Sequence, residues 1–333
     1  MIYTSGVISD INSEETLEQM QDNKLAIVCE KIDLQEGEKM LDIGCGWGTL
    51  ARFASVNYGA KATGITLGRN QTAWGNGALR KAGIPEEQSK ILCMDYRDIP
   101  VPEGGYNKIT CLEMAEHVGV RHFSTFLKQV YGMLDDDGVF FLQIAGLRKP
   151  WQYEDLIWGL FMNKYVFPGA DASTPLGWFV DRLEGAGFEV KGLDTIGVHY
   201  SGTLWRWYRN WLANRDKVEA KYGKRWFRVS FASLPLIDKL QDANRICVPR
   251  SGSFSLPLPR SSPARAAPPA TRSFSTRTST RTTESRLSPW PMASRGLSPI
   301  PGPISRPGLR ERLLPSPRSL FSKYLMTIDR PWR

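Results

Sequence analysis

Two short stretches of this sequence space their residues as chemistry requires. In DIGCGWG, Asp42, Gly44, Gly46 and Gly48 alternate directly after the run KML. Glycines so placed let a backbone approach a ligand closely, and the N-terminus of a following helix offers N–H groups and positive potential to an anion. An acid at the strand's end can attract an ammonium group. In EMAEHVG, Glu116 and His117 follow another strand-like run, NKITCL, at the carboxyl end of a strand, where α/β sheets bind ligands. A carboxylate there can take a proton. A solvated surface position or a helix cap is the plainer reading of Glu116, and for His117 filling the loop stands beside contact with a cofactor.

The elements around these stretches alternate. Asn12 with Glu15 three residues on predicts a capping box, and Leu17, Met20, Ile27, Val28 and Ile32 give the helix it opens an apolar face. Six short runs follow, KMLDIG, KATGIT, ILCMD, NKITCLEM, GVFFLQIA and FEVKGLD, separated mostly by helical patterns and turn glycines. That alternation predicts an α/β fold with a doubly wound parallel sheet. From Trp151 the texture changes: WQYEDLIWGLFMNKYVF has six aromatics in 17 residues, and LWRWYRNW at 204 to 211 has four in eight. Glu154, Asp155 and Lys164 interrupt the first, so both are expected to be amphipathic helices, either at a membrane interface or buried as a pair under the sheet. No run of about 18 apolar residues spans a membrane, and no stretch reads as a signal peptide.

Charge is unevenly spread. The 333 residues carry 43 Lys+Arg against 34 Asp+Glu; residues 1–228 hold 26 against 29, and residues 229–333 hold 17 against 5. Residues 249–319 contain fourteen prolines among Ser, Thr and Arg with no lasting periodicity, and are expected to be disordered. Five cysteines without a CxxC and three histidines without ligand spacing predict no metal site and a reducing compartment.

A dinucleotide fingerprint needs GxGxxG and an acid about 20 residues on. Here the spacing is GxGxG and the second strand ends at Ile65-Thr66-Leu67, so NAD is disfavoured. DxGxGxG after a first strand instead resembles motif I of the S-adenosylmethionine-dependent methyltransferases. Further motifs extend the likeness: YTSG at 3–6, GITLGRNQ at 64–71, DYRD at 95–98, EMAEHVG at 113–119, NKYVFPG at 163–169 and HYSGTLWRWY at 199–208. In this order they resemble the cyclopropane fatty-acid synthase family, and within it the fungal sphingolipid C9-methyltransferases, over residues 1–228.

The resemblance implies a Rossmann-like class I methyltransferase fold, with an N-terminal helical cap over 1–36 and substrate-covering helices at about 150–180 and 201–222. It implies S-adenosylmethionine as cofactor, with Asp42, Gly44, Gly46 and Gly48 around the methionine part. Thr66, Leu67 and Gln71 would border the ribose, Asp95 and Tyr96 the adenine, with His117 nearby. The implied substrate is a ceramide or glucosylceramide, methylated at C9 of its sphingoid base, at the surface of the endoplasmic reticulum membrane.

Attack of an alkene on a sulfonium methyl leaves a carbocation, so water must be excluded and something must take a proton. In the family this implies a bicarbonate held by Cys, Glu, His and Tyr side chains and a backbone amide. By motif the Glu and Tyr fall on Glu116 and Tyr200, while Ser5 stands for the Cys and Gln143 for the His. Ser and Gln can hydrogen-bond an anion, but Gln cannot shuttle a proton as imidazole does. Proton removal is expected to rest on Glu116, directly or through a bound bicarbonate or water. Losing the proton from the methylated carbon gives a branched alkene and losing it from the new methyl gives a ring; the changed pair fits the former. Tyr165, Phe167, Trp205 and Tyr208 could line a lipid channel or pack a core.

The likeness stops at Arg228. Much of the tail is expected to be a frameshifted or mis-spliced reading, the seventh strand of the sheet to be missing, and the chain to be poorly soluble or inactive. Sphingolipid members carry membrane-spanning segments ahead of the YTSG motif, so either the N-terminus is truncated or attachment is peripheral. Rival readings keep the cofactor with a cyclopropane synthase-like acyl acceptor or a small amine, or make this an inactive product whose basic tail binds nucleic acid or an anionic membrane. The tail lacks a helical arginine stripe or interleaved aromatics, so no nucleic-acid partner is expected.

Overall fold

All six expected strand runs form strands, and a seventh joins them from the far end of the chain. The computed structural model describes residues 2–10, 12–147, 149, 153–232 and 321–330. Helix α1 (Leu17–Lys31) leads into β1 (Lys39–Ile43), α2 (Thr49–Tyr58), β2 (Lys61–Thr66), α3 (Arg69–Lys81) and β3 (Lys90–Cys93). Then come β4 (Tyr106–Leu112), α4 (Phe123–Met133), β5 (Leu134–Leu147), α5 (Tyr153–Phe161), α6 (Leu176–Gly185) and β6 (Glu189–Thr195). Helices α7 (Gly197–Ala213) and α8 (Arg215–Ala232, kinked at Gly223) precede β7 (Phe321–Asp329).

The strand order is β3-β2-β1-β4-β5-β7-β6. Strands β1 to β5 pair in parallel, and β7 runs antiparallel to both β5 and β6. This corrects the expectation of a missing seventh strand and removes the structural reason for expecting an inactive or insoluble chain. Leu142 lies opposite Met326 on one side of the strand, and Leu193 faces the same methionine from the other. Side chains alternate between two buried faces of the sheet: Tyr324, Met326 and Ile328 join the core against α4 and α6, while Leu325 joins the one against α1 and α2. Arg330 fastens its end, donating from Nη1 to Leu134 O at 2.9 Å with its guanidinium 4.8 Å from the Tyr131 ring centre. The disorder expected of residues 249–319 lies outside the described residues.

The leading helix forms, but its box is one turn later than the sequence suggests. Thr16 accepts from Gln19 N at 3.2 Å, and the Gln19 side chain accepts from Thr16 N at 2.8 Å. Glu15 instead accepts from Ser9 N and from Asn23 Nδ2, bracing the N-terminal segment. That segment is also tied to α7, with Gly6 N donating to Thr203 Oγ1 at 2.9 Å and Ile8 N to His199 Nδ1 at 3.0 Å. Among the described residues no helix is long and apolar enough to cross a membrane, and no cluster of His, Cys, Asp and Glu could hold a metal ion.

Candidate functional site

Chain order across the sheet reverses between β1 and β4, and the loops leaving their carboxyl ends diverge into a crevice. The glycine turn after β1 forms one wall. Gly44 and Gly46 have φ of 78° and 54°, a region open to glycine, and a Cβ on Gly44 would lie 2.5 Å from Met114 Cγ. Gly44 N and Cys45 N donate to Ile65 O at 3.0 and 2.9 Å, which fastens the turn to β2. Gly48 (φ 71°) plays another part: its Cβ would meet Ile91 at 2.9 Å, so it lets α2 pack against β3 and does not line the crevice.

A cavity of about 510 Å³ runs along this wall. Its wall includes Lys24, Asp42, Gly44 and Gly46, Thr66 and Leu67, and Asp95 and Tyr96. Gln71 is not on the cavity wall; its Oε1 accepts from Thr66 Oγ1 at 2.7 Å and so orients the threonine. The Asp95 carboxylate caps the turn after β3, accepting from Arg97 N, Nε and Nη2 at 2.8 to 2.9 Å, and these bonds hold its pKa down to about 2.

Asp42 is 3% exposed. Burial pushes its pKa up to about 7, against the opposing pull of the Thr110 hydroxyl, 3.0 Å from Oδ1, and of the Lys24 ammonium. Lys24, on α1 and 1% exposed, donates from Nζ to Thr4 Oγ1 at 2.6 Å. A buried acid and a buried ammonium on the wall of a cleft that also carries a glycine turn suit an amino-acid zwitterion. With room for a nucleoside beyond, the residues fit S-adenosylmethionine.

Asp42 sets a pH dependence. Between its unfolded value of 3.8 and its folded value of about 7, the folded chain keeps a proton that the unfolded chain has lost, so this group makes stability fall as pH rises through that window. A ligand ammonium reverses the preference, because only the ionised acid attracts it. Affinity for S-adenosylhomocysteine is expected to rise up to about tenfold per unit as pH approaches about 7, then level off, and Asp42→Asn should abolish the slope. Calorimetric titration across pH checks this; an unchanged slope in the variant would refute it.

A second cavity, of about 840 Å³, adjoins the first, and Tyr3, Thr4, Glu113 and His117 line both. Glu116, 8% exposed, lies on its wall with Oε1 accepting from Ala145 N at 2.8 Å. Tyr200 and Trp207 of α7 and Leu156 and Leu160 of α5 form further wall, and a π-helical turn, Met162–Val166, follows α5 directly. Of the four aromatic candidates only Phe167 lines the cavity. Tyr165 packs on Phe161, while Trp205 and Tyr208 stack on each other at 5.5 Å away from it.

Ser5 and Gln143 are fully buried and line neither of these two cavities. Both bear on Glu113: Ser5 N donates to Glu113 Oε1 at 3.0 Å, and Gln143 Nε2 donates to the same oxygen at 2.5 Å. The Ser5 hydroxyl turns away to Gly6 O. Glu113, Lys24 and Thr110 escape a reading of the sequence, since their partners are distant in the chain; for Glu113 the available signal is a second acid in EMAEHVG.

Known proteins carry the same framework. Sphingolipid C9-methyltransferase 2 of Gibberella zeae is 80% identical over 229 residues, 69% of this chain and 44% of that protein. The Sphingolipid C9-methyltransferase of Komagataella phaffii is 68% identical over 235 residues, 69% of this chain and 48% of its own. The chain thus spans about half the length of these curated relatives. Among solved structures, the cyclopropane synthase MmaA2 from Mycobacterium tuberculosis aligns with a TM-score of 0.68 at 16% identity, over 98% of this chain and 90% of that one, a likeness of fold. The model of mycolic acid cyclopropane synthetases matches residues 1–234, from the N-terminal segment that braces Glu113 through α8. With the glycine turn, the paired cavities and the complete seven-stranded sheet in place, the chain belongs to that family.

Proposed function

We propose that the protein transfers a methyl group from S-adenosylmethionine to an alkene carbon of a lipid, C9 of the sphingoid base of a ceramide or glucosylceramide. The observation that carries this reading is the junction of a cofactor-sized cleft with a larger cavity at Glu113 and His117. The names of the curated relatives support the choice of lipid.

When bound, S-adenosylmethionine supplies an electrophilic methyl group. Asp42 would hold its ammonium and Lys24 its carboxylate, with Thr66 and Leu67 beside the ribose and Asp95 and Tyr96 beside the adenine. In the larger cavity Leu156, Leu160, Phe167 and Trp207 would exclude water from the lipid chain. Glu116, oriented by Ala145 N, would face the positive charge left on the chain once its double bond has taken the methyl.

Helix α5 supports work at a membrane surface, the endoplasmic reticulum membrane being the expected one. Tyr153, Leu156, Ile157 and Leu160, spaced as one helical face, are exposed, and Leu156 and Leu160 also border the larger cavity. An apolar face continuous with a lipid cavity lets a chain pass inward without crossing water.

Lipid mass spectrometry tests the substrate. The purified chain, given S-adenosylmethionine with a glucosylceramide unsaturated at C9, an oleoyl phospholipid or phosphoethanolamine, is expected to methylate the glucosylceramide. Methylation of the phospholipid or the amine in its place would overturn the reading.

A further inference from the structure

We propose that Glu113, rather than Glu116 or a bound anion, is the carboxylate that receives the proton from the methylated carbon. This rests on the reading above, in which a lipid alkene accepts the methyl.

The residue's position argues for the role. Glu113 lines both cavities, whereas Glu116 lines the larger alone, and the carbon that takes the methyl must lie where the two meet. Its backbone has φ of 55°, a left-handed conformation that among the described non-glycine residues only Asp33 shares, and one costly to any residue with a side chain. That conformation is held by Glu113 N donating to Gln143 O at 2.8 Å. Strain kept at a junction of two ligand cavities, on an acid, points to a chemical task.

The donors behind it fit the same task. Ser5 N and Gln143 Nε2 both point at Oε1, and neither group can accept a hydrogen bond, so this oxygen enters the reaction as an acceptor. Gln143 Oε1 is buried with no hydrogen-bond partner among the described residues. Turned over, the same amide presents that oxygen to a protonated Glu113. One fully buried side chain can therefore support the carboxylate before the proton arrives and the acid afterwards.

The step balances within these groups. The alkene's electron pair forms the new C–C bond as the donor's S–CH₃ bond breaks, leaving the neighbouring carbon positive. The C–H bond at the methylated carbon then breaks, its electrons close a double bond to that neighbour, and the proton passes to the Glu113 carboxylate. Glu116 faces the cation and keeps its bond from Ala145 N throughout.

Glu113→Gly removes the carboxylate and relieves the positive-φ cost together, so folding and chemistry separate. The full variant chain is expected to unfold cooperatively, its midpoint set by the relief of positive φ against the loss of the acceptor of Ser5 N and Gln143 Nε2, and to bind S-adenosylhomocysteine with affinity within a few-fold. Turnover to the branched alkene should fall by about 10²–10⁴-fold and recover in proportion to added formate or bicarbonate. Without lipid, calorimetry should detect formate binding to the variant and none to the wild type. Turnover within a few-fold of wild type would overturn the proposal, as would a loss that neither anion restores in a variant that binds no formate. Should the wild type methylate the oleoyl phospholipid in place of the sphingolipid, the substrate reading falls and Glu113 is judged by the same comparison on that lipid.

Discussion

Glutamine in place of Glu116 is expected to lower turnover by about 10²–10³-fold, the usual cost of losing a preorganised electrostatic group at a developing charge, while affinity for S-adenosylhomocysteine stays within a few-fold. The substitution is isosteric, and a glutamine Oε1 can still accept from Ala145 N, so the loop after β4 keeps its anchor. What disappears is the negative charge facing a chain that has just become positive. With a lipid chain filling a cavity walled by Leu156, Leu160 and Trp207, little water would be left to replace it. The loss should appear in kcat, because the neutral ground-state lipid has no charge for Glu116 to meet. A rise in KM at constant kcat would instead make Glu116 a residue for binding lipid. Unchanged turnover would remove it from the chemistry.

Deleting residues 321–333 is expected to abolish folding. Tyr324, Leu325, Met326 and Ile328 are all buried, and burying each such side chain contributes about 1.5–3 kcal/mol. Four of them approach the roughly 5–15 kcal/mol that holds a typical domain together. The deletion also strips β5 and β6 of their shared partner and leaves backbone groups unpaired in the middle of the sheet. Its effect reaches the site, since Gln143, which braces Glu113, pairs with Leu325 across β5 and β7. Circular dichroism and urea titration would show a non-cooperative chain. A truncated protein with the wild-type midpoint would mean that β7 adds nothing, and the fold as described would be wrong there.

That strand is also where the sequence was hardest to read. The runs from KMLDIG to FEVKGLD announce themselves because turn glycines and apolar alternation bound each one. KYLMTID alternates too, placing Tyr324, Met326 and Ile328 on one face, but it follows a long proline- and arginine-rich stretch. Local pattern says nothing about which sheet such a run will join, and its partners Val139–Leu147 lie far back in the chain.

The site divides in the same way. Asp42, Gly44 and Gly46 are contiguous, and one turn places them all. The motif GITLGRNQ groups Thr66 with Gln71, and the contact between their side chains shows that one orients the other while only Thr66 reaches the cavity wall. The motifs mark Ser5 and Gln143 for their own side chains; through a backbone N–H and an amide N–H respectively, they brace Glu113. Nothing within EMAEHVG distinguishes its two acids, because what separates them is the strand, segment or cavity each one meets. Helical periodicity made α5 and α7 amphipathic, but it could not choose Trp207 over Trp205 for the cavity wall.

The most direct test of the central claim, that an alkene carbon is methylated and then loses its own proton, is isotopic. The chain is given S-adenosylmethionine carrying a trideuterated methyl group and a glucosylceramide unsaturated at C9, and the deuterium content of the product is read by mass spectrometry. A branched alkene retaining all three deuterons is the predicted result. A product retaining two, as ring closure through the new methyl requires, or deuterium on the headgroup instead of the sphingoid chain, would contradict the account.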